Sequence, residues 1–254
     1  MIPLKTPEQI EIMDGANRIV HKVLDAIEAN ICPGMATQGL DILSESIAHA
    51  ENAKPAFKGY MGYPASLCVS VNEEIVHGIP SDRVIKEGDV VSVDFGAIYK
   101  GFVGDAARTI IIGDVSEEIS NLVFNTKEAL KLAVDKMRIG NRLYDIANTI
   151  STVAIKNKYG NIEKFCGHGV GEKMHEPPRV LNYIDKAEPN VRLQEGMVLA
   201  LEPMFVLGKK DVRILKDKWT VVTADGSCAA HWEVSVAITK EGPRVLGSDT
   251  LFDD

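Results

Sequence analysis

Five side chains carry the chemistry this sequence offers: Asp94, Asp105, His168, Glu202 and Glu233. Asp94 follows the apolar run Val90, Val91 and Val93, and Asp105 comes after Phe102 and Val103 and just before the strand-like residues 109–112. Two antiparallel strands turning near Tyr99-Lys100-Gly101 place both aspartates at one level. Either alone could be a solvated turn or strand-end carboxylate, Asp105 after Gly104 especially. Glu202 lies in Val198-Leu199-Ala200-Leu201-Glu202-Pro203-Met204, where a charge has no obvious route to water, and Glu233 lies between Trp232 and Val234 in a strand of apolar or small residues. An isolated charge in such a place costs roughly several kcal/mol. A bound cation compensates it and also lowers the carboxylate pKa values. Four carboxylates and the His168 imidazole, with no thiolate among them, suit two divalent ions such as Mn, Fe, Co or Zn. Two ions about 3.5–4 Å apart can hold an attacking hydroxide between them and polarise a carbonyl, which is the chemistry of amide hydrolysis. These residues alone name no substrate.

Other candidates are weaker. His77, in IVHGIP, falls at an exposed strand end or turn, a usual place for functional residues. Phe57, Tyr60 and Tyr63 sit near it among glycines and could wall an apolar pocket or simply pack a loop. His168 lies in the glycine-rich Gly167-His168-Gly169-Val170-Gly171, which has no phosphate-loop pattern. His175 follows seven residues later, with Glu176-Pro177-Pro178 expected to turn the chain.

These groups must be positioned by a mixture of helices and strands. Thr6-Pro7-Glu8-Gln9 reads as a helix start with a capping box, and apolar spacing carries that helix to the break at Cys32-Pro33-Gly34. A second helix after Ala36-Thr37 is expected to turn Leu40, Leu43, Ile47 and Ala50 inward. Leu67, Val69 and Val71 alternate with smaller polar residues, the pattern of a half-buried strand. Asp114-Val115-Ser116-Glu117 caps a third helix running to about residue 137, with Ile119, Leu122, Val123, Ala129, Leu130, Leu132 and Ala133 inward. A fourth covers Leu143–Asn157, and the runs MVLALEPMFV and CAAHWEVSVAIT follow as strands. His21 and His49 fall in the first two helices and read as surface or packing residues.

The order is thus two helices, strands, two helices, strands. It suggests one α+β catalytic domain over residues 1–254 with an internal pseudo-repeat, about 6–115 and 116–246. Two such halves place antiparallel sheets side by side under helices, with a ligand site where they meet.

Composition narrows the function. Acidic residues number 36 against 28 basic, a formal charge of -8 with the signs well mixed, so nucleic acid and membrane surfaces are not expected partners and a small or peptidic substrate is. The opening MIPLKTPEQIEIM has early charges and no secretory pattern, and the four cysteines have no CxxC spacing. Free thiols and a cytoplasmic location follow as expectations. Disorder is expected only in the last residues, SDTLFDD.

The segments FKGYMGYPASLCVSVNEEIVHGIP, VSVDFGAIYKGFVGDAART, GHGVGEKMHEPP, LALEPM and AAHWE, in this order and at these separations, resemble the bacterial-class, type I methionine aminopeptidases. The likeness runs from Thr6 to about Leu246. It implies the pita-bread fold, with pseudo-two-fold duplicated halves, and a cytoplasmic metallo-exopeptidase of protein maturation. Such an enzyme removes the initiator methionine from peptides and nascent chains, at the ribosome, when the second residue is small. It implies two divalent ions of cobalt, manganese, iron or zinc, and action as a monomer. By position, Asp94 would chelate the first ion, Asp105 and Glu233 would bridge, and His168 with Glu202 would complete the second. Glu202 would shuttle the proton, His77 would hold the substrate near its amine, and His175 would donate to the carbonyl oxygen. Phe57, Tyr60, Tyr63, Cys68, Met174 and Trp219 would enclose the methionine side chain. Val234 stands where the family usually has a histidine, with His231 two residues before Glu233, so the expected effect is a lost supporting group and altered metal affinity or rate. An X-Pro aminopeptidase or prolidase of the same fold, or a catalytically silent peptide-binding relative, are the other readings.

Overall fold

Thr6 opens the first helix as its sequence predicts. Its hydroxyl accepts from Gln9 N while the Gln9 side chain accepts from Thr6 N, so two otherwise orphaned amides are satisfied at the start of α1 (Pro7–Asn30). The computed structural model describes residues 2–248 and Phe252; Met1 and the rest of the tail after Ser248, where the sequence suggests disorder, lie outside the described residues. After α1 come α2 (Thr37–Ala50), α3 (Glu117–Val134, capped by Ser116) and α4 (Leu143–Asn157).

Between α2 and α3 run β1 (Lys54–Pro55), β2 (Leu67–Val71), β3 (Glu74–Val76), β4 (Val90–Tyr99) and β5 (Phe102–Ile111). After α4 come β6 (Gly160–Asn161), β7 (Gly167–Gly169), β8 (Glu176–Val180), β9 (Val198–Leu201), β10 (Met204–Val206), β11 (Val212–Ile214), β12 (Val221–Thr223), β13 (Ala229–His231), β14 (Glu233–Ile238) and β15 (Pro243–Val245). The principal sheet has the order β1-β4-β5-β14-β9-β7-β8, with β2 also on β4 and β15 also on β14. All its pairs are antiparallel. Two three-stranded sheets, β13-β10-β6 and β11-β12-β3, flank it.

The helices cover one face of this sheet. Val20, Leu24 and Leu40 of α1 and α2 pack on Val91, Val93, Phe95 and Ala106, and Leu122, Leu130, Ile146 and Ile150 of α3 and α4 pack on Leu199, Leu201, Val234 and Val236. Each of these buried side chains contributes roughly 1.5–3 kcal/mol, which is the reserve against which buried charges on the other face are tolerated. Side chains alternate along a strand, so the neighbours of helix-facing residues look the opposite way. Asp94 lies between Val93 and Phe95, Asp105 precedes Ala106, Glu233 precedes Val234, and Glu202 follows Leu201.

Several expectations need correction. The turn falls where expected, at Lys100-Gly101, both at positive φ (48° and 85°), but it pairs Tyr99 with Phe102. That register sets Asp94 opposite Ala107 and Asp105 opposite Gly96, so the aspartates share a face but lie one step apart, not at one level. β2 is buried along its whole length, because helices cover one side and Tyr63 and Ala65 pack with Cys68 on the other. On α2, Leu40 is buried and Leu43 and Ile47 are half-buried against the same core as expected, joined by Thr37, Ser44 and Ala48, but Ala50 is exposed, and Leu132 of α3 also faces out. Glu176-Pro177-Pro178 does not turn the chain but opens β8, an edge strand where proline costs no interior ladder bond. The two late strand runs are each broken, at Glu202-Pro203 and at Trp232. The two helix histidines are as expected: His21 is a packing residue within bonding distance of Leu246 O and the Arg108 guanidinium, and His49 is exposed.

Candidate metal centre and its pocket

Strand register gathers the five candidate ligands into two adjacent rows. One row runs Cys68, Asp94, Ala107, Glu233 across β2, β4, β5 and β14. Glu202 extends it, being the residue after Leu201, which pairs with Val234. The second row holds Gly96 opposite Asp105, then Ser235, whose hydroxyl donates to Asp105 O at 3.0 Å, then Ala200 and His168. Small residues (Ala107, Gly96, Ser235, Ala200) separate the functional ones, which leaves room for the acidic side chains to converge. Ligand atoms of Asp105, His168 and Glu233 all lie within 4.8 Å of one another. His168 Nε2 is 3.7 Å from Asp105 Oδ2 and 3.7 Å from Glu202 Oε1.

The electrostatics call for positive charge. Asp94 Oδ1, Asp105 Oδ1 and Glu233 Oε1 are buried with no hydrogen-bond partner among the described residues, a costly condition for any carboxylate. Burial lifts Asp94 to about 7, and burial with the field of Asp94 lifts Glu202 to about 8. Burial first, then the neighbouring carboxylates, drives Asp105 and Glu233 well above the usual range, and these two are close enough to share a proton. His168 Nδ1 lies 3.0 Å from Gly169 O, which fixes the tautomer with the proton on Nδ1 and leaves the Nε2 lone pair facing the acids. Burial and nearby His175 hold this imidazole near 4, hence neutral. Hard oxygen donors and one neutral imidazole fit divalent ions, and ions would satisfy all three orphaned oxygens.

Beside these groups lies a cavity of about 170 Å³ lined by Phe57, Tyr60, Met61, Tyr63, Cys68, Met174 and Trp219 as well as by His77, His175 and the acids. Every side chain expected to enclose a substrate is there. Met61 was not foreseen; it is 81% exposed at positive φ (50°) between Gly59 and Gly62, which also have positive φ. Tyr63 stands edge-on to Trp219 at 5.1 Å and its hydroxyl reaches Gly78 O at 2.9 Å. His77, also at positive φ (61°), is held by the edges of Phe165 and Trp219. Burial and His175 push it down to about 4. His175 packs 4.3 Å from His168, and the Tyr60 hydroxyl lies 2.8 Å from its Nδ1.

Two supporting contacts escape local sequence patterns. Lys5 Nζ meets Glu176 Oε2 at 2.6 Å, both nearly buried, next to His175. His231 is buried with its Nε2 3.8 Å from Glu233 Oε2. It stands two residues before Glu233 in sequence, but the break at Trp232 puts the two in different sheets, so strand alternation does not place its imidazole. Val234 is the opposite case: fully buried in the cluster beneath α3 and α4, it points away from the acids, so the residue at this position fills core and does not support the ligands as expected.

The chain matches metallopeptidase family M24 over residues 11–240. A methionine aminopeptidase of Clostridium acetobutylicum is 48% identical over 247 residues, spanning 97% of this chain and 98% of that one. The crystal structure of a methionine aminopeptidase from Thermotoga maritima superposes with a TM-score of 0.95 at 42% identity, covering 98% of this chain and 100% of the other. A prolidase from Pyrococcus furiosus superposes with a TM-score of 0.79 at 27% identity, covering 96% of this chain and 65% of that longer one. The helix-backed antiparallel sheet is therefore shared with the Thermotoga maritima enzyme over its whole length and with the prolidase over about two thirds of it.

Proposed function

The chain belongs to metallopeptidase family M24, and from that footing we propose that it removes the N-terminal methionine from peptides and nascent chains whose second residue is small. The observation that carries this reading is the pair of register rows, which brings four carboxylates and a neutral imidazole to one wall of a pocket whose other wall is apolar and aromatic.

Asp94, Asp105, His168, Glu202 and Glu233 would hold two divalent ions, cobalt, manganese, iron or zinc by their donor set. When bound, such ions supply Lewis acidity, polarising the scissile carbonyl and acidifying water. The chain's own groups do the rest. Glu202 accepts the proton that water gives up and passes it to the departing amide nitrogen. Tyr60 donates to His175 Nδ1, which leaves the Nε2 proton of His175 free to donate to the carbonyl oxygen as negative charge develops there. His77, neutral and clamped between two aromatic edges, orients the substrate beside its free amine. Phe57, Tyr60, Tyr63, Cys68, Met174 and Trp219 take the thioether side chain, which packs well against ring edges.

No helix among the described residues is long and apolar enough to cross a membrane. We place the activity in the cytoplasm, on chains emerging from the ribosome, in a monomer whose two halves repeat one plan.

The test is direct. Protein stripped with a chelator should release no methionine from Met-Ala-Ser, should recover on addition of one of the four metals, and should leave X-Pro peptides uncut. Preferential cleavage of X-Pro peptides would instead give it the activity its prolidase likeness suggests, and no hydrolysis with any metal would leave a peptide-binding protein.

A further inference from the structure

His231 has no part in the roles assigned above, yet it is built into the centre. Its backbone is clamped to β5: His231 N donates to Thr109 Oγ1 at 2.9 Å and Thr109 Oγ1 lies 2.7 Å from His231 O. Across the small sheet it pairs with Met204, which is fully buried. The imidazole has no comparable anchor. Its Nε2 is buried without a hydrogen-bond partner among the described residues, 3.8 Å from Glu233 Oε2. That gap is longer than a hydrogen bond, yet shorter than the roughly 4.5 Å that two groups bridged by one water need between them. The contact either stays broken, stranding a nitrogen beside an acid, or closes by a shift of under about 1 Å.

Glu233 Oε1 is orphaned as well. Both defects are relieved together when Glu233 is a carboxylate facing a cation, because its Oε2 can then accept an N–H. Each carboxylate oxygen has two lone pairs, so Oε2 can take this bond and still face an ion. The residues whose ligand atoms lie mutually within 4.8 Å are Asp105, His168 and Glu233, and His231 meets this group through Glu233 Oε2. Resting on the metal-centre reading, we propose that His231 is a positioning residue for Glu233, donating from Nε2 to Oε2 and fixing how that carboxylate is presented to a divalent ion. Supporting groups of this kind are worth about 10- to 100-fold in metal affinity.

Calorimetric titration of Mn2+ into chelator-stripped protein, together with the melting temperature of the ion-free forms, tests this with His231→Leu and His231→Gln. The leucine variant should bind Mn2+ about 10- to 100-fold more weakly, while glutamine, which keeps a donor, should stay within roughly threefold of the unmodified protein. The ion-free leucine variant should melt no lower than the unmodified protein, because a stranded buried nitrogen has been removed. Equal affinity in all three proteins overturns the positioning role and leaves the metal centre standing. A leucine variant that melts well below the unmodified ion-free form, or glutamine as weak as leucine, reduces His231 to a packing residue. No uptake of Mn2+ by the unmodified protein removes the metal centre and this proposal with it.

Discussion

At the scale of single residues, the centre is a set of groups held away from their ordinary ionisation. His77 and His168, near 4, and His231, near 3 because of burial and the nearby His77, are neutral in the folded chain by pH 6.5, where unfolded imidazole is also losing its proton. They therefore add little pH dependence above that point. Asp94, raised to about 7, and Glu202, raised to about 8, behave oppositely. Between neutrality and mild alkali the folded ion-free chain keeps protons that the unfolded chain has released, so stability is lost as pH rises through 7 and 8. Melting temperature in excess EDTA should fall from about pH 6.5 to about pH 8.5, and saturating Mn2+ should abolish the fall, since ions replace the protons. A flat or rising profile in EDTA contradicts this picture. A second residue-level expectation concerns His175: its alanine variant should lose roughly 10²- to 10³-fold in kcat without a change in melting temperature, the usual effect of removing a donor to a developing oxyanion. An unchanged kcat takes that role from His175.

At the scale of elements, glycines let strands approach what they must touch, and two of them separate stability from specificity. A Cβ on Gly78 would sit 2.1 Å from Val69 O, against backbone that cannot yield. A Cβ on Gly96, opposite Asp105, would meet Phe57 Cε1 at 2.7 Å and Met174 Cε at 2.8 Å, the ends of two side chains that line the pocket. Gly96→Ala should push these into the cavity and raise KM for Met-Ala-Ser by roughly tenfold, about 1–3 kcal/mol of overpacking, while Gly78→Ala should lower the melting temperature. Steady-state kinetics beside thermal melts decide it, and a Gly96→Ala enzyme with unaltered KM would mean that the methionine end of the pocket lies elsewhere. The elements themselves were legible in sequence where the signal is local. Capping at Thr6, the start of α3 within Asp114-Val115-Ser116-Glu117, the apolar period of α4, and a short turn near Tyr99-Lys100-Gly101 needed only neighbouring residues. Errors came where the deciding contact is distant. The full burial of β2 depends on Tyr63 and Ala65 behind it, and β8 forms at Glu176-Pro177-Pro178 because β7 is there to pair with it.

At the scale of the whole molecule, the sheet is the device that converts four expensive acids into one site. Each acid was recognisable as a charge in an apolar run, but that Asp94 and Glu233 share a register row across Ala107 is a fact of long-range pairing that no local pattern encodes. The same holds for Lys5, whose ion pair with Glu176 reaches across 171 positions to the turn that carries His175. The helix pairs bury the opposite face and supply the stability that the acids alone would spend, so the site exists only in the assembled sheet. The most direct measurement is anomalous scattering from crystals of the protein loaded with manganese. Two peaks within ligand distance of Asp94, Asp105, His168, Glu202 and Glu233 are predicted, both lost in Asp105→Ala; manganese found elsewhere, or absent from these five side chains, would contradict the account.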